Sequence, residues 1–428
     1  MHRRRFLAGT AGLIVAGAAP SDGGWVRNAA AAGRHALYLV PGYRPDQAHY
    51  RGRPLSDSPE FRKRFPPGFD DTGTMVTRID EADGSVRRAL MPIKGHAIAV
   101  RPGGGLAVWN SIHGDTLLGF DPTSLELVAV SGFAREGFVG GGHAAFTADG
   151  RQVLVTERRR RDRYSGNPID HYGQVSIRDA ETLRVIEVFS AHGMSPHDIA
   201  LLPDGKHVAV ANYGSFVAPD GWRPHIVEPC MSIIELGTGR LVEKLTPPDA
   251  TAELRHLAAG ARDRLSALLV RRGSLEEEEE LLAERAEVYE VDSSSFDEGT
   301  YLPGAVVHFD ATFGPWQAGT TMPRDPLLAR HGQSLVYDPR ADEMIVTFTS
   351  SHTIGVFAGE DGRVKRIIHT DRLGLRYPRG ISLHPDGIHY AVSGSWRDLH
   401  LFRRGTHEID RDRSIYAVLF DHSHLSIG

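Results

Sequence analysis

From residue 95 onward, apolar and polar positions fall into short runs that restart on one template. GHAIAVRPGGG (95–105), GGHAAFTADGR (141–151), SPHDIALLPDGK (195–206), RHLAAGARDR (255–264) and PRGISLHPDG (378–387) each set a His or Arg at the head of an apolar strand. A turn follows, often Asp-Gly, and then a second apolar strand such as QVLVTE or HVAVAN. Val153 with Val155, and Val175 with Ile177, show the period of two that belongs to strands. A unit of this size repeated with Gly-bearing turns encodes a radial array of sheets. The chain is therefore expected to be all-β, a β-propeller. Seven blades fit best, with six or eight left open.

ALYLV and MVTRIDEADGSVRRAL would make the first blade, the unit from Gly95 to Val130 the second, 141–190 the third and 195–245 the fourth. The fifth opens at Arg255, the sixth at SLVYDP and the seventh at Pro378, so the propeller domain spans 35–420. Residues 271–330 are the least regular. Ser274 and Glu277 have the spacing of a capping box, and EEEELLAERAEVYEV has helical spacing, which predicts a helix inserted in the fifth blade. Its five consecutive Glu read as a solvated face, or as a docking surface for a basic partner.

Aligned on their turns, the units place His96, His197, His256 and Arg379 in one register, with His143 one residue out and Gln333 beside His331. Asn110, Glu157 and Asn212 end the second strands. In a hairpin the head of the first strand and the end of the second lie on the same face, so these side chains should converge on one rim. His96, Asn110, His143, Glu157, His197, Asp198, Asn212, His256 and Arg379 form the expected ligand-binding rim. Two long segments, 158–173 and 213–229, should emerge there as a lid carrying Arg158 to Arg161, Asp170, His171, Asp220, Trp222 and His225. His143, Glu157, His197 and His256 could hold a transition metal, since neutral imidazole is its commonest nitrogen ligand. The alternative is that each His bonds the neighbouring blade.

Composition narrows the chemistry. With 428 residues, 41% hydrophobic, the chain can bury a large core, and a net charge of −5 gives no ground for a nucleic-acid partner. Met1-His2-Arg3-Arg4-Arg5-Phe6-Leu7, an apolar run to Ala19 and then a polar SDGG have the order of an export signal. Arg3-Arg4-x-Phe6-Leu7 matches the twin-arginine type, with residues 1–19 as the signal peptide and the periplasm as destination. No later stretch approaches the roughly 20 apolar residues that cross a bilayer. A single cysteine, Cys230, excludes an intramolecular disulfide, while 22 histidines make imidazole and carboxylate the expected metal donors. No G-x-S-x-G elbow, P-loop or C-x-x-C-H is present. Binding of a small ligand, metal species or partner protein is thus expected ahead of catalysis. A propeller enzyme, either a lactonase-like hydrolase using Glu157, Asn110 and Asn212 or a quinoprotein-type oxidoreductase, is the alternative.

GHAAFTADGR with VTE, AHGMSPHDIALLPDGKHVAVANYG, APDGWRP and RHLA resemble a bacterial family of twin-arginine-exported propellers of unknown function. That family is similar in architecture to WD40/YVTN-type and quinoprotein amine dehydrogenase β-chain-like propellers, and its genes often lie beside imelysin-type and other periplasmic iron-uptake genes. The matching positions are His143, Glu157, His192, His197, Asp198, Asn212 and His256; the chain departs at RRRRDR after Glu157 and at the poly-Glu insert. The resemblance implies no defined activity. It implies a place in periplasmic iron or metal handling.

Overall fold

The structure, a computed structural model, describes residues 35–42, 74–160, 164–217, 224–261, 263–274, 300–395, 397–419 and 424–428, with 49–50, 53–54, 277 and 280. Seven four-stranded antiparallel sheets form a seven-bladed β-propeller. In blades two to seven the chain runs outward strand by strand. Their innermost strands are Gly95–Val100, Phe138–Phe146, Pro196–Leu201, Glu253–Ala259, Gly332–Asp338 and Pro378–Leu383.

The apolar alternation fixes where the core lies. One cluster joins Ala145, Leu154, Val175, Ile177 and Phe189 of blade three to Ile199, Leu201, Val208, Val210 and Ile234 of blade four. Another joins Tyr38, Val40, Ile79 and Ile427 of blade one to Ala391, Leu399, Leu401 and Leu419 of blade seven. The core is therefore a ring of layers between blades, and the axis is left to the innermost strands.

Blade one differs from the sequence expectation. Its innermost strand is Ser426–Ile427, which pairs with Leu37–Pro41 through Tyr38↔Ile427 and Leu39↔Ser426. The ring thus runs to Gly428 rather than to residue 420, because the chain's last residues close it. In blade five no α-helical element is described, although Glu277 and Glu280 have helical backbone. Thr300–Asp310 and Gln317–Thr321, which fall in the stretch expected to carry a helical insert, are the blade's third and fourth strands. Ser274 and Glu277 do exchange the reciprocal bonds of a capping box, at 2.6 and 3.2 Å. Residues 281–299, which would continue a helix, lie outside the described residues, as do 1–34 with the signal sequence. No helix among the described residues is long and apolar enough to cross a membrane.

Beside the closing strand, blades seven and one are tied by alternating carboxylates and imidazoles. His384 lies with Nε2 3.0 Å from Glu81 and Nδ1 3.0 Å from Asp386; His389 continues to Asp386 at 2.7 Å and Asp410 at 3.2 Å. Arg413 pairs with both Glu81 and Asp386. Burial would lower the pKa of His384, but Asp386 and Glu81 outweigh it and the value is raised. A raised folded-state pKa gives stability that is fully present below the ordinary value near 6.5 and is lost as pH rises through the folded value. The urea midpoint of the native protein is therefore expected to fall from pH 6 to 9 relative to that of His384→Gln. A constant gap between the two across that range would show that His384 is not charged in the seam.

Candidate metal centre

Each innermost strand of blades two to seven breaks register with its neighbour at the head. The breaks fall between Gly95 and Ile98, Gly140 and Ala144, Pro196 and Asp198, Leu254 and Leu257, Gly332 and Ser334, and Pro378 and Ile381. His96, His143, His197, His256, Gln333 and Arg379 lie inside them. A bulge bends the strand and re-aims a side chain, and here it does so at the same height around the ring. It also frees carbonyls from the ladder, which must find donors elsewhere. Thr156 Oγ1 lies 2.9 Å from the carbonyls of both His143 and His197, Asn110 Nδ2 donates to His143 O at 2.7 Å, and Thr347 Oγ1 donates to Arg379 O at 2.6 Å.

The result is a compact cluster of five buried imidazoles: His96, His143, His197, His256 and His424. Ring centroids of His143 stand 5.3 Å from His96, 4.6 Å from His197, 5.1 Å from His256 and 4.5 Å from His424. Ligand atoms of His96, His143 and His197 lie within 4.8 Å of one another, as do those of His143, His256 and His424. Nε2 of His96 and Nε2 of His424 are 3.1 Å apart. Metal–nitrogen bonds of 2.0–2.1 Å put neighbouring ligand atoms about 2.9 Å apart in an octahedral set and about 3.4 Å apart in a tetrahedral one. The His96–His424 separation, which is also hydrogen-bond distance, falls between these.

Gly142 makes the approach feasible. Its φ is +115°, and a Cβ there would stand 2.8 Å from His96 Cδ2 and 2.9 Å from His197 Nδ1. Any other residue would be strained and would also push two rings of the cluster apart.

Hydrogen bonds set the tautomers. His143 Nδ1 faces Asp198 Oδ1 at 3.0 Å, and the carboxylate can only accept, so the ring proton sits on Nδ1. His197 Nδ1 lies 2.7 Å from the carbonyl of Gly141. Arg158 Nη2 approaches the same nitrogen at 3.0 Å, but the shorter contact to an obligate acceptor fixes the proton there too. In both rings Nε2 then carries the lone pair, and both Nε2 atoms are buried without a hydrogen-bond partner. A histidine whose outer nitrogen is held by a carboxylate or carbonyl while the inner one points at its neighbours is how proteins orient imidazole toward a metal.

The charge states agree. Burial holds His197 well below the ordinary histidine range, with His143, His256 and Arg158 adding to the effect. It lowers His256 to about 4 against the opposing pull of Asp198. Burial alone would raise Asp198, but His143 and His256 hold its carboxyl below the usual carboxylate range. At neutral pH His197 and His256 are thus uncharged donors beside one ionised carboxylate, and metal binding need not displace protons from either.

Other residues expected on the rim are placed elsewhere. Glu157 does not reach the imidazoles: its carboxylate is fully buried between the strands of blade three, taking bonds from Arg178 Nη2 (2.8 Å), Ser176 Oγ (2.5 Å), Gln174 Nε2 (2.6 Å) and the Ala134 N–H (3.1 Å). Asn110 is spent on the carbonyls of His143 and Thr156. Asn212 donates to Ser232 Oγ at 3.0 Å and to Val210 O at 3.2 Å, with buried Cys230 beside it. Arg379 occupies the bulge of blade seven, where its charge adds to burial in lowering the pKa of His331. His192 bonds Gly239 O on the outer side of the blade. His331 stacks on Tyr301 at 3.6 Å. Of the lid, Arg158 reaches the cluster, while 161–163 and 218–223 lie outside the described residues.

His424 is the member that the repeat alignment missed. It heads the closing strand, and the signal was there: His424-Leu425-Ser426-Ile427 repeats the His head followed by apolar positions seen at His96 and His197.

A family model described as protein of unknown function (DUF1513) matches residues 89–303, just over half of the chain. The chain belongs to the DUF1513 family. The DUF1513 match contains four of the five clustered histidines and leaves out His424. Among solved structures, the chain is similar to Kuenenia stuttgartiensis hydrazine synthase, with a TM-score of 0.53 at 13% identity over 78% of this chain and 93% of that one. It is also similar to a functionally unknown protein from Desulfotomaculum acetoxidans, with a TM-score of 0.47 at 12% identity over 72% and 78%. At these identities the likeness of the DUF1513 protein to the synthase extends to the propeller fold alone. No curated protein matches the chain.

Proposed function

We propose that this protein is an exported metal-binding propeller whose channel histidines hold one divalent transition-metal ion. The observation that carries the reading is the pair of buried, unpartnered Nε2 atoms of His143 and His197, each with its opposite nitrogen anchored, inside a cluster of five imidazoles. An unsatisfied buried polar atom is costly, and two facing one small space argue for an occupant that accepts lone pairs. An all-nitrogen donor set suits copper, zinc or nickel, and also ferrous iron. Cys230, buried beside Asn212, takes no part, so thiolate-selected chemistry is not supported. Residues 1–19, with their basic, apolar and small-residue order, support export to the periplasm, and the family resemblance supports a place in iron or metal handling there. No observation favours the hydrolase or quinoprotein alternative.

Metal analysis of protein purified from the periplasmic fraction tests this. Close to one equivalent of a transition metal is expected in the native protein. His143→Ala, which removes the ring common to both ligand groups, should lower affinity by roughly a hundredfold or more, since loss of even outer-sphere partners costs 10–100-fold. A protein that takes up no transition metal after chelation and reloading, or binds equally well as His143→Ala, would overturn the assignment.

A further inference from the structure

The five imidazoles do not all face the same space. His143, His256 and His424, with Asp198, line the end of a cavity of about 120 Å³ on the propeller axis, whereas His96 and His197 stand outside its lining. The rest of the wall comes from residues that follow the heads of the innermost strands, so the cavity is the propeller channel itself. Small side chains keep it open, among them Ala97, Ala200 and Ala258 and the hydroxyls of Ser334 and Ser382. A channel packed with leucine or phenylalanine at these places would seal the histidines from below. Here it leads to them.

We propose that a metal ion in this cluster keeps one coordination position open toward the channel, and that a small monoanion occupies it. This rests on the metal-binding reading above. The placement of the ligands carries the geometry: His143, His256 and His424 line the cavity while His96 and His197 do not, so an ion held by the cluster borders the cavity on the side of those three rings. A site with a position left to an exogenous ligand is the arrangement of reactive metal sites, whereas structural sites are closed by protein donors. Charge carries the class of ligand. A divalent ion, neutral imidazoles and the Asp198 carboxylate leave a net positive charge, and the Arg158 guanidinium at His197 adds to it. A monoanion offsets that excess in a site where a bare charge is poorly solvated. Size carries the limit, since a cavity of about 150 Å³ admits benzene and this one is smaller. Azide or formate fits; an aromatic carboxylate does not.

The test loads the full chain with copper(II), establishes one equivalent by metal analysis, and titrates azide while following the ligand-to-metal charge-transfer band. A saturable new band is expected in the native protein, and benzoate at the same concentrations should neither produce a shift nor compete. Ala200→Leu, which fills the channel below the rings, should keep its copper and lose azide affinity by roughly tenfold or more. Copper uptake without an azide band would overturn this proposal and leave the metal site standing. So would competition by benzoate, or azide binding unchanged in a copper-loaded Ala200→Leu. Failure to take up copper or any other transition metal would overturn the metal-binding reading, and this proposal with it.

Discussion

Deleting residues 424–428 is expected to lower the free energy of unfolding by about 4–10 kcal/mol and to abolish tight metal uptake in whatever folded protein remains, the figure being that of two large buried aliphatic side chains removed together. Leu425 and Ile427 are buried in the layer between blades one and seven. The backbone of Gly428 exchanges two bonds of 2.9 Å with Leu37, Ser426 Oγ donates to Ile98 O at 2.6 Å, and Leu425 O accepts from Ser382 Oγ at 2.7 Å. These five residues thus fasten blades one, two and seven at once, and their removal also exposes the inner edge of Leu37–Pro41. His424→Ala in the full chain separates the two roles. It should leave the free energy of unfolding within about 1 kcal/mol of native, the usual size of a point substitution, and still weaken metal binding, because the closing strand remains while its ligand is gone. Urea denaturation and metal analysis on both variants decide the matter. A truncated chain with native stability would mean that the ring is closed by other contacts.

The same strand shows what sequence can and cannot carry. The propeller was legible because strand–turn–strand units leave a pattern that needs no knowledge of partners: His96, His197 and His256 could be set in one register from their Asp-Gly and Gly-rich turns alone. His424 has no such turn after it. Its strand is the first layer of a blade whose other strands lie at the opposite end of the chain, so the His head and apolar positions stand without the turn and second strand that mark the other units. The bulges were equally hidden, since an extra residue exists only relative to a paired strand, as between Gly140 and Ala144. They are what turn a shared register into a shared focus. The lid reading reached two residues that touch the cluster: Arg158 at His197 Nδ1, and Tyr213, whose ring lies 4.5 Å from that of His197. The bounds of the fifth-blade insert were drawn too wide for a different reason. Helical spacing marked a segment, but the flanking strands, Arg264–Gly273 and Thr300–Asp310, pair with each other across it, and pairing overrode the irregular composition read over 300–330.

Glu157 is where strand-end position misled most, and it supports the other prediction of large effect. Glu157→Ala is expected to destabilise the fold by about 3–5 kcal/mol, the cost of breaking a buried ion pair on one side, while leaving the metal stoichiometry of the folded protein unchanged. Both Glu157 and Arg178 have fully buried side chains, 0% exposed, so loss of the carboxylate strands a guanidinium in a dry layer. Arg178 would keep neutral contacts to Ser176 Oγ, Gly132 O and Leu183 O, which can accept its protons but cannot balance its charge. The partner was visible in principle, because Gln174, Ser176 and Arg178 occupy alternate positions and so share one face of the strand beside Glu157. Replacing both charges, as Glu157→Leu with Arg178→Met, should recover part of the loss, since no unpaired charge remains. Denaturation midpoints for the single and double variants, read together with their metal content, separate a keystone of blade three from a ligand. A Glu157→Ala protein of native stability that had lost its metal would return the carboxylate to the centre and displace the all-imidazole assignment.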